Sequence, residues 1–320
     1  MSTTVSVEAL KKAVGHIYPD QPVAWNKRDL LIYAIGIGAK ANDFPLVYDK
    51  NFAAFPTFPA TFFLKGADQD VNLFASRVAS ATSPPGLPKF DPNRGVHATQ
   101  TIEILRPLPL VSGDGWKMNR RLTGISENKS GVILENEYTL VDPKGTPYAK
   151  LFSASFNLGA KLTGTRFSHT IASPPKSTKS FDPKSKPDWT IRDKTSTEQA
   201  LIYRLSGDYN PLHIDPSIGA RTGFGGVILH GLSTYGFAAR HLVSAIGGND
   251  PSSLKYFSAR FTSPVRPGDE LETRAWELGG LGDEWREIGF ETWDLSSGRC
   301  VIGGGVAWVR KSASAEKAKL

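Results

Sequence analysis

The sequence predicts an α+β fold made of two similar units, each combining antiparallel strands with helix. The first observation is a repeated helical pattern: residues 31–36 and 201–206 share an apolar spacing, and each ends near a glycine. The second is that a proline-containing segment, 106–109 or 263–267, later leads each unit into strand-like sequence. Two units with the same order of features indicate a duplication.

Strand-like sequence completes each unit. Apolar and β-branched residues dominate 131–140 in the first unit and 287–293 in the second. Each unit then closes on a further run of the same kind, at 150–156 and 301–309. Because these runs are short and separated by turn residues, antiparallel pairing is predicted.

A segment rich in Ser, Thr, Pro and Lys separates the two units. It has too few apolar residues to build a core and is predicted to be a linker. We expect an N-terminal unit at 1–163, a linker at 164–187, a C-terminal unit at 188–311 and a tail at 312–320. Four prolines between 81 and 92 predict a second irregular loop, since proline cannot continue a helix.

The composition is that of a globular protein. Apolar residues make up 40% of the 320 residues and charged residues 22%, which excludes a disordered or fibrous chain. No apolar run approaches the roughly 20 residues that cross a bilayer, so no membrane span is predicted. The single cysteine, Cys300, excludes an intramolecular disulfide and a zinc site built from cysteines.

The net charge is +7, but Lys and Arg are scattered along the chain. No basic helix, zinc-finger pattern or RNA-binding pattern accompanies the charge, so nucleic acid is not an expected partner. A basic surface instead suits a small anionic ligand that carries phosphate groups.

Two helices are predicted in the second unit. The first begins near a capping-box pattern at 195–199, and Gly207 is placed to end it. The second spans about 231–246, where apolar residues recur at helical spacing. The segment between the two helices is therefore predicted to be a loop.

That loop carries a candidate acid/base pair. Asp208 and His213 are five positions apart, and Asn210-Pro211 forces a turn between them. A histidine that titrates near neutral pH and a carboxylate can hold one water, remove its proton and deliver another to carbon. Taken singly, each residue is also an ordinary turn or solvated loop residue, and only the complete string favours catalysis.

A glycine-rich segment at 223–231 follows the loop and ends where the second helix is predicted to begin. The first turn of a helix has backbone N–H groups without intrahelical partners. The N–H of Gly231 can therefore donate to a developing oxyanion, and the missing side chain lets a reacting carbonyl approach closely.

Residues 203–216, Tyr-Arg-Leu-Ser-Gly-Asp-Tyr-Asn-Pro-Leu-His-Ile-Asp-Pro, resemble the signature of the MaoC-like, 2-enoyl-CoA hydratase 2 family. The similarity continues at 228–232 and 236–240 and reaches into the first unit at 31–38 and 46–48. The chain looks especially like the hydratase region of the peroxisomal multifunctional enzymes of β-oxidation.

The resemblance implies a double hot-dog fold, in which each unit wraps an antiparallel sheet around a central helix. It also implies hydration of (2E)-enoyl-CoA to (3R)-3-hydroxyacyl-CoA in fatty-acid β-oxidation, with no metal and no cofactor beyond the substrate's coenzyme A. Asp208 and His213 then match the acid/base pair, Asn210 a polar catalytic partner and Gly231 the oxyanion donor. In this family the first unit accommodates the acyl chain without an acid/base motif, and residues 36–43 indeed contain no Asp-x-Asn-Pro-x-His string.

The resemblance also assigns substrate contacts to His97, Ala98, Lys129, Tyr209 and Phe261. His97 would supply a polar edge, Lys129 a cation for phosphate and Phe261 an apolar wall. Ala98 stands where the family often has glycine, which leaves a backbone contact with the ligand open there.

The chain ends in Ala318-Lys319-Leu320, a variant of the Ser-Lys-Leu peroxisomal address. Together with the resemblance, this tripeptide predicts a peroxisomal location and binding by the import receptor; the alternative is a solvated tail. Family members commonly dimerise, so a homodimer is expected. The 320 residues leave no room for the other domains of the multifunctional enzymes. We therefore expect a stand-alone hydratase or a piece of a longer protein, and Met1 favours the former.

Two other functions stay open. Because proton transfer is reversible, the motif also suits a dehydratase of a specialised acyl or polyketide pathway, which rates on CoA and carrier-protein thioesters would distinguish. A non-catalytic acyl-CoA-binding protein on the same fold would bind its ligand tightly without turnover. The preferred chain length depends on the shape of the first-unit cavity, which the sequence does not specify.

Overall fold

One antiparallel sheet forms the frame of the molecule. The computed structural model describes residues 5–48, 50–71, 74–80, 82–91, 94–177 and 179–312, and within them the sheet has eleven strands. In the first half these are β1 (Gln21–Pro22), β2 (Gly95–Ile104), β3 (Lys117–Asn128), β4 (Gly131–Val141), β5 (Pro147–Leu158) and β6 (Phe167–Thr170). In the second half they are β7 (Trp189–Lys194), β8 (Leu254–Phe261), β9 (Glu270–Leu281), β10 (Trp285–Asp294) and β11 (Arg299–Arg310).

The order of the strands is symmetric about the centre of the sheet. It runs β1-β3-β4-β5-β2-β8-β11-β10-β9-β7, with β6 also paired to β3. On either side of the centre, β2 therefore corresponds to β8, β5 to β11, β4 to β10 and β3 to β9. The two units join where β2 pairs with β8, from Thr99 opposite Arg260 to Glu103 opposite Tyr256. This order agrees with the predicted duplication of an antiparallel unit.

The helices of the described residues are mostly short. They are α1 (Val7–Ala13), α2 (Lys27–Gly36), α3 (Phe44–Val47), α4 (Phe62–Lys65), α5 (Phe74–Ser80), α6 (Gln199–Arg204), α7 (Pro216–Arg221) and α8 (Gly231–Ala245). Short 3-10 turns occupy Phe58–Thr61, Pro211–His213 and Pro251–Ser253. Helices α6 and α8 confirm the two helices predicted in the second unit.

Helix α8 lies at the centre of the core. It begins at Gly231, as predicted, and every residue from Leu232 to Val243 is buried. It contacts β7, β8, β9 and β11. The apolar cluster around it contains residues of both units, so the two halves share one core.

Helix α2 of the first unit packs closely against α8 of the second. A Cβ atom at Gly236 would lie 2.2 Å from Cγ2 of Ile37, so only glycine permits this approach. Ser233 Oγ donates to the carbonyl of Gly36 at 2.8 Å, and Arg240 Nε donates to the carbonyl of Ile37 at 3.0 Å. Side chains of the second unit thus satisfy the carbonyl groups at the end of α2.

The first unit differs from the second at the position equivalent to α8. The 3-10 turn at Phe58–Thr61 and the four-residue α4 stand there, and Gly66 ends α4 with a φ of 62°. Pro56 and Pro59 oppose a longer helix because proline lacks the N–H that a helix interior needs. The first unit therefore has a short helical segment where the second unit has the 15-residue helix α8.

The interval predicted as a linker, 164–187, contains the short strand β6, and its described residues from 171 onward form neither helix nor strand. The described part of the proline-rich loop, 82–91, likewise has no helix or strand. None of the described helices is long and apolar enough to span a membrane. Ala318-Lys319-Leu320 lies outside the described residues.

Candidate active site

The loop after α6 is held against the first unit by a glycine. Gly207 has a φ of 115°, and a Cβ atom there would lie 2.6 Å from the Cα atom of Lys65. Any other residue would have both backbone strain and a clash with α4. The contact places Asp208 at the junction of the two units.

The turn between Asp208 and His213 forms as the sequence predicts. Asn210 Oδ1 accepts from the N–H of Leu212 at 3.0 Å, and Pro211 occupies the first position of the 3-10 turn. The Asp208 carboxylate accepts from the N–H of Asn210 at 3.3 Å. These local hydrogen bonds turn the chain so that the side chains of Asp208 and His213 face each other.

His213 is held in one tautomer. Its Nδ1 lies 2.9 Å from the carbonyl oxygen of Ile228, which can only accept, so Nδ1 carries the proton and Nε2 of the neutral ring is a free base. Nε2 lies 3.9 Å from Oδ2 of Asp208. That distance is too long for a direct hydrogen bond but suits a water or substrate group bound to both.

His230 supports this pair, although the sequence interpretation did not include it. Its ring stacks on His213 at 3.7 Å between centroids, and its Nε2–H donates to the backbone carbonyl of Asp208 at 3.0 Å. Burial, and then the neighbouring His213, hold the pKa of His230 well below its usual value, so the ring stays neutral. Its position directly before Gly231 was the only sequence signal for this role.

Gly231 is the first residue of α8, where N–H groups have no intrahelical acceptors and the helix dipole is positive. A Cβ atom at this position would touch the ring of Phe261 at 3.4 Å, an ordinary contact. The missing side chain is therefore not required by packing. It keeps the space beside the N–H open.

These residues line one cavity of about 690 Å³ at the junction of the units. The second unit contributes the loop after α6 and the start of α8 through Asp208, Asn210, Leu212, His213, Ile228, Leu229, Gly231, Leu232 and Thr234, with Phe261 and residues 262–265 after β8. The first unit contributes Phe63, Leu64, Phe74, His97, Arg120, Asn136, Tyr138, Ser153 and Ser155. The volume is in the range of sites that bind small organic molecules.

His97 and Phe261, to which the resemblance assigns substrate contacts, lie next to each other in the wall of this cavity. Their ring centroids are 4.8 Å apart. A hydrogen bond of 2.9 Å joins His97 Nε2 to Ser153 Oγ. Burial lowers the pKa of His97 to about 4, so it presents a neutral polar edge.

Three of the predicted contacts do not line the cavity. Ala98 sits at a bulge of β2 next to His97, where successive side chains face opposite sides of the sheet. Lys129 is exposed in the turn between β3 and β4. Tyr209 is buried beside Arg204, whose guanidinium lies 5.2 Å from its ring. Substrate contacts by all five residues, His97 and Phe261 included, stay predictions.

Asp208, His213 and His230 each offer one potential metal-ligand atom, and these atoms lie within 4.8 Å of one another. The two imidazoles are stacked, so their in-plane lone pairs run side by side and do not converge on a point about 2 Å from both nitrogens. The geometry suits proton transfer better than coordination of a shared ion, and the absence of a metal stays a prediction.

Two family profiles match the chain, one in each unit. The MFE-2 hydratase 2 N-terminal domain matches residues 24–159, and the MaoC like domain matches residues 179–296. The second match contains the loop with Asp208 and His213, whereas the first contains the cavity wall with His97.

Curated proteins from several kingdoms are similar over most of the chain. The probable dehydratase NIT22 of Ajellomyces capsulatus is 35% identical over 82% of this chain and 70% of its own length. The peroxisomal enoyl-CoA hydratase 2 of Arabidopsis thaliana is 34% identical over 84% of this chain and 86% of its own. The peroxisomal multifunctional enzyme type 2 of Mus musculus is 33% identical over 91% of this chain, which spans 37% of the mouse protein.

Solved structures share the fold. A MaoC-like dehydratase from Phytophthora capsici has a TM-score of 0.83 at 35% identity, covering 97% of this chain and 99% of that one. A Mycobacterium tuberculosis protein with a double hotdog fold has a TM-score of 0.60 at 12% identity, covering 93% and 96% of the two chains. These likenesses confirm the predicted α+β double hot-dog fold. With the profiles and the curated relatives, they show that the chain belongs to the MaoC-like dehydratase and enoyl-CoA hydratase 2 family of enzymes.

Proposed function

We propose that the chain hydrates (2E)-enoyl-CoA to (3R)-3-hydroxyacyl-CoA in fatty-acid β-oxidation. The observation that carries this proposal is the pairing of His213 Nε2 and Asp208 Oδ2 at 3.9 Å in the junction cavity. The proton of His213 is held at Nδ1, so Nε2 is the base that faces the carboxylate. The family membership supports hydration of an enoyl thioester, and the geometry supports these two residues as its acid/base pair.

The proposed step balances with one water. His213 and Asp208 hold the water, and as its proton leaves to this pair its oxygen bonds to C3 of the enoyl chain. The electron pair of the C2=C3 bond moves toward C2 and the thioester carbonyl oxygen. The N–H of Gly231 stabilises the negative charge on that oxygen, and a proton from the pair completes C2. The carboxamide of Asn210, which lines the same cavity, orients the reacting groups.

The acyl chain is proposed to extend into the first unit. Phe63, Leu64 and Phe74 line that part of the cavity, and the first two belong to the short helix α4. At the other side, Phe224 lines the cavity, and its carbonyl accepts from the exposed guanidinium of Arg266 at 3.3 Å. Arg266 is therefore positioned to attract the phosphates of coenzyme A.

The direct test is turnover of a graded series of trans-2-enoyl-CoA thioesters with chiral analysis of the product. We expect the (3R)-hydroxyacyl-CoA from at least one chain length. A (3S) product would contradict the proposed stereochemistry. Tight binding without turnover would favour the alternative of a non-catalytic acyl-CoA-binding protein.

A second candidate is the reverse reaction, dehydration in a specialised acyl or polyketide pathway. The relative with 35% identity carries the name of a probable dehydratase, which keeps this direction open. Proton transfer by the same pair serves both directions. Strict dependence on a carrier-protein thioester, with no rate on the CoA thioester, would favour this candidate over β-oxidation.

We also propose a peroxisomal location and a homodimer. Two relatives are named as peroxisomal enzymes, and the tripeptide Ala318-Lys319-Leu320 is the segment proposed to bind the import receptor. A fluorescent fusion that preserves this tripeptide should enter peroxisomes, and removal of the tripeptide should leave it outside them. Sedimentation equilibrium tests the dimer.

A further inference from the structure

A row of polar side chains crosses the first-unit wall of the catalytic cavity. It begins at His97 on β2 and passes Ser153 on β5 and Asn136 on β4 to Arg120 on β3, and all four line the cavity. Cross-strand pairing places Asn136 opposite Ser153, and hydrogen bonds join His97 to Ser153 and Arg120 to Asn136. The wall proposed to hold the acyl chain is therefore polar along this row.

Arg120 at the end of the row is a cation without a carboxylate partner. Its Nε donates to Asn136 Oδ1 at 3.0 Å, and no carboxylate of the described residues forms an ion pair with it. Its guanidinium carbon lies 3.8 Å from the ring centroid of Tyr18 and 5.6 Å from that of Tyr138. The rings orient the guanidinium, and its remaining N–H groups are available to an acceptor.

Arg121, the next residue on β3, differs from Arg120 because a carboxylate pairs with it. Arg121 lies on the opposite face of β3, where its guanidinium contacts a carboxylate oxygen of Glu137 at 2.7 Å. Glu137 also binds Lys150 at 2.9 Å. The charge of Arg121 is thus compensated inside the protein, whereas that of Arg120 faces a cavity that receives a ligand.

The row is connected to the reacting centre. His97 contacts the ring of Phe261, and a Cβ atom at Gly231 would lie 3.4 Å from the same ring. The guanidinium of Arg120 contacts Asn136 on β4, and β4 lies two strand spacings from β2, about 10 Å along the sheet. A thioester carbonyl bound at Gly231 would therefore place Arg120 near the far part of an acyl chain of medium length.

We propose that the natural substrate carries a carboxylate toward the far end of its acyl chain, and that Arg120 binds it. This inference rests on the proposed function, because it takes Gly231 and the acid/base pair as the position of the thioester. Arg120 is a specificity-determining residue in this account and does not touch the reacting atoms. A planar guanidinium suits the bidentate binding of a carboxylate.

The experiment compares two trans-2-enoyl-CoA series of equal chain length, one unsubstituted and one with a terminal carboxylate. At the matching length, we expect kcat/KM to be about tenfold to hundredfold higher for the carboxylated chain, the range of a charge-assisted hydrogen bond. Hydration of both series without this preference would overturn the inference and leave the proposed function intact. Hydration of neither series would contradict the proposed function itself.

Substitutions of Arg120 test whether this residue causes the preference for the carboxylated chain. Arg120→Met removes the charge and is expected to abolish the preference by lowering the rate on the carboxylated chain much more than the rate on the unsubstituted chain, while Arg120→Lys should retain part of it. Arg121→Met on the opposite face is the matched control and should leave the ratio unchanged. An unchanged ratio in Arg120→Met, with normal turnover of the unsubstituted chain, would overturn the inference.

A phosphate of coenzyme A is the other anion that Arg120 could bind. Shortened pantetheine thioesters, which lack the nucleotide phosphates, distinguish the two sources. If Arg120 binds the acyl end, the preference for the carboxylated chain persists in the shortened series. If Arg120→Met instead lowers the rate on both CoA chains equally and has no effect on either pantetheine chain, the guanidinium binds the nucleotide and the inference is overturned.

Discussion

The loops that follow α2 and α6 occupy equivalent places in the two units but make different contacts. After α2, the carbonyls of Gly36 and Ile37 accept hydrogen bonds from second-unit side chains, and Asp43 lies 3.6 Å from the guanidinium of Arg240. After α6, Asp208 and His213 face a cavity. The first loop holds the two units together, whereas the second has groups available for a substrate. The two copies therefore share a scaffold, and under the proposed function only the second loop carries the acid/base pair.

Two cavities between the units differ in the same way. The catalytic cavity lies at the start of β2 and the end of β8. A second cavity of about 530 Å³ lies at the opposite ends of these strands, lined by residues 104–108 and 254–255 among others. The described residues of its wall include no histidine beside a carboxylate. A symmetric fold thus provides two cavities, and side chains decide which one is reactive.

The largest expected difference between the two loops concerns catalysis. Asp208→Asn and His213→Ala should each lower kcat by about a hundredfold to ten-thousandfold, the usual contribution of general acid/base catalysis. Asp43→Asn is the matched control in the first unit, because it changes a carboxylate that binds Arg240 and not the substrate. We expect it to lower the free energy of unfolding while kcat stays close to wild type. Equal loss of kcat in all three variants would remove the distinction between the loops.

The next prediction compares two glycines of α8. Gly231→Ala adds a methyl group at an ordinary distance from Phe261, so the fold should tolerate it. The methyl group should hinder the approach of the thioester to the N–H, and we expect kcat/KM to fall by about a hundredfold. Gly236→Ala, which would meet Ile37 at 2.2 Å, should instead lower stability by about 1–3 kcal/mol. Activity and thermal denaturation of both variants check the contrast.

Each unit also contains a buried imidazole whose ionisation opposes folding. Burial lowers the pKa of His97 in the first unit to about 4 and, with Arg240 as the next cause, that of His241 in the second to about 3. An unfolded histidine has a pKa near 6.5. Between each folded-state pKa and about pH 6.5, the unfolded state binds more protons, so stability falls as pH falls. For His241, which is 1% exposed, the loss should reach about 2 kcal/mol by pH 5. Urea unfolding at pH 7 and pH 5 measures it, and a smaller pH dependence is expected in His241→Gln.

The smallest predicted effect concerns His230, which has no counterpart in the first loop. His230→Ala removes a hydrogen bond to the Asp208 carbonyl and the ring beneath His213, and we expect kcat to fall about fivefold to tenfold. His230→Gln, which can donate from a similar position, should recover most of the rate. Because His230 stays neutral, the acid limb of the pH–rate profile should not move in His230→Gln. A displaced acid limb would show that His230 itself transfers protons.

Local signals explain what could be predicted. Helix α8 was expected at about 231–246 and spans Gly231–Ala245, because an apolar period and a glycine start are properties of neighbouring residues. The turn at Pro211–His213 follows equally from Asn210 and Pro211. The roles of His230 and Arg120 are not predicted from the sequence: His230 lies within the 228–232 match, but no local pattern specifies what either side chain contacts. Their surroundings arise from contacts with Asp208, which is 22 residues away, and with Asn136 on the next strand.

The sequence by itself determined the duplicated antiparallel architecture, the family and the loop that carries Asp208 and His213, because periodicity, turn residues and a contiguous motif are all encoded over short distances. Only the tertiary structure decided that the central helical segment of the first unit is short, and that Lys129 lies outside the cavity wall. It also decided that Arg120 faces that cavity without a carboxylate partner among the described residues. These features depend on which strands become neighbours, and strand neighbours are set by packing across the whole core.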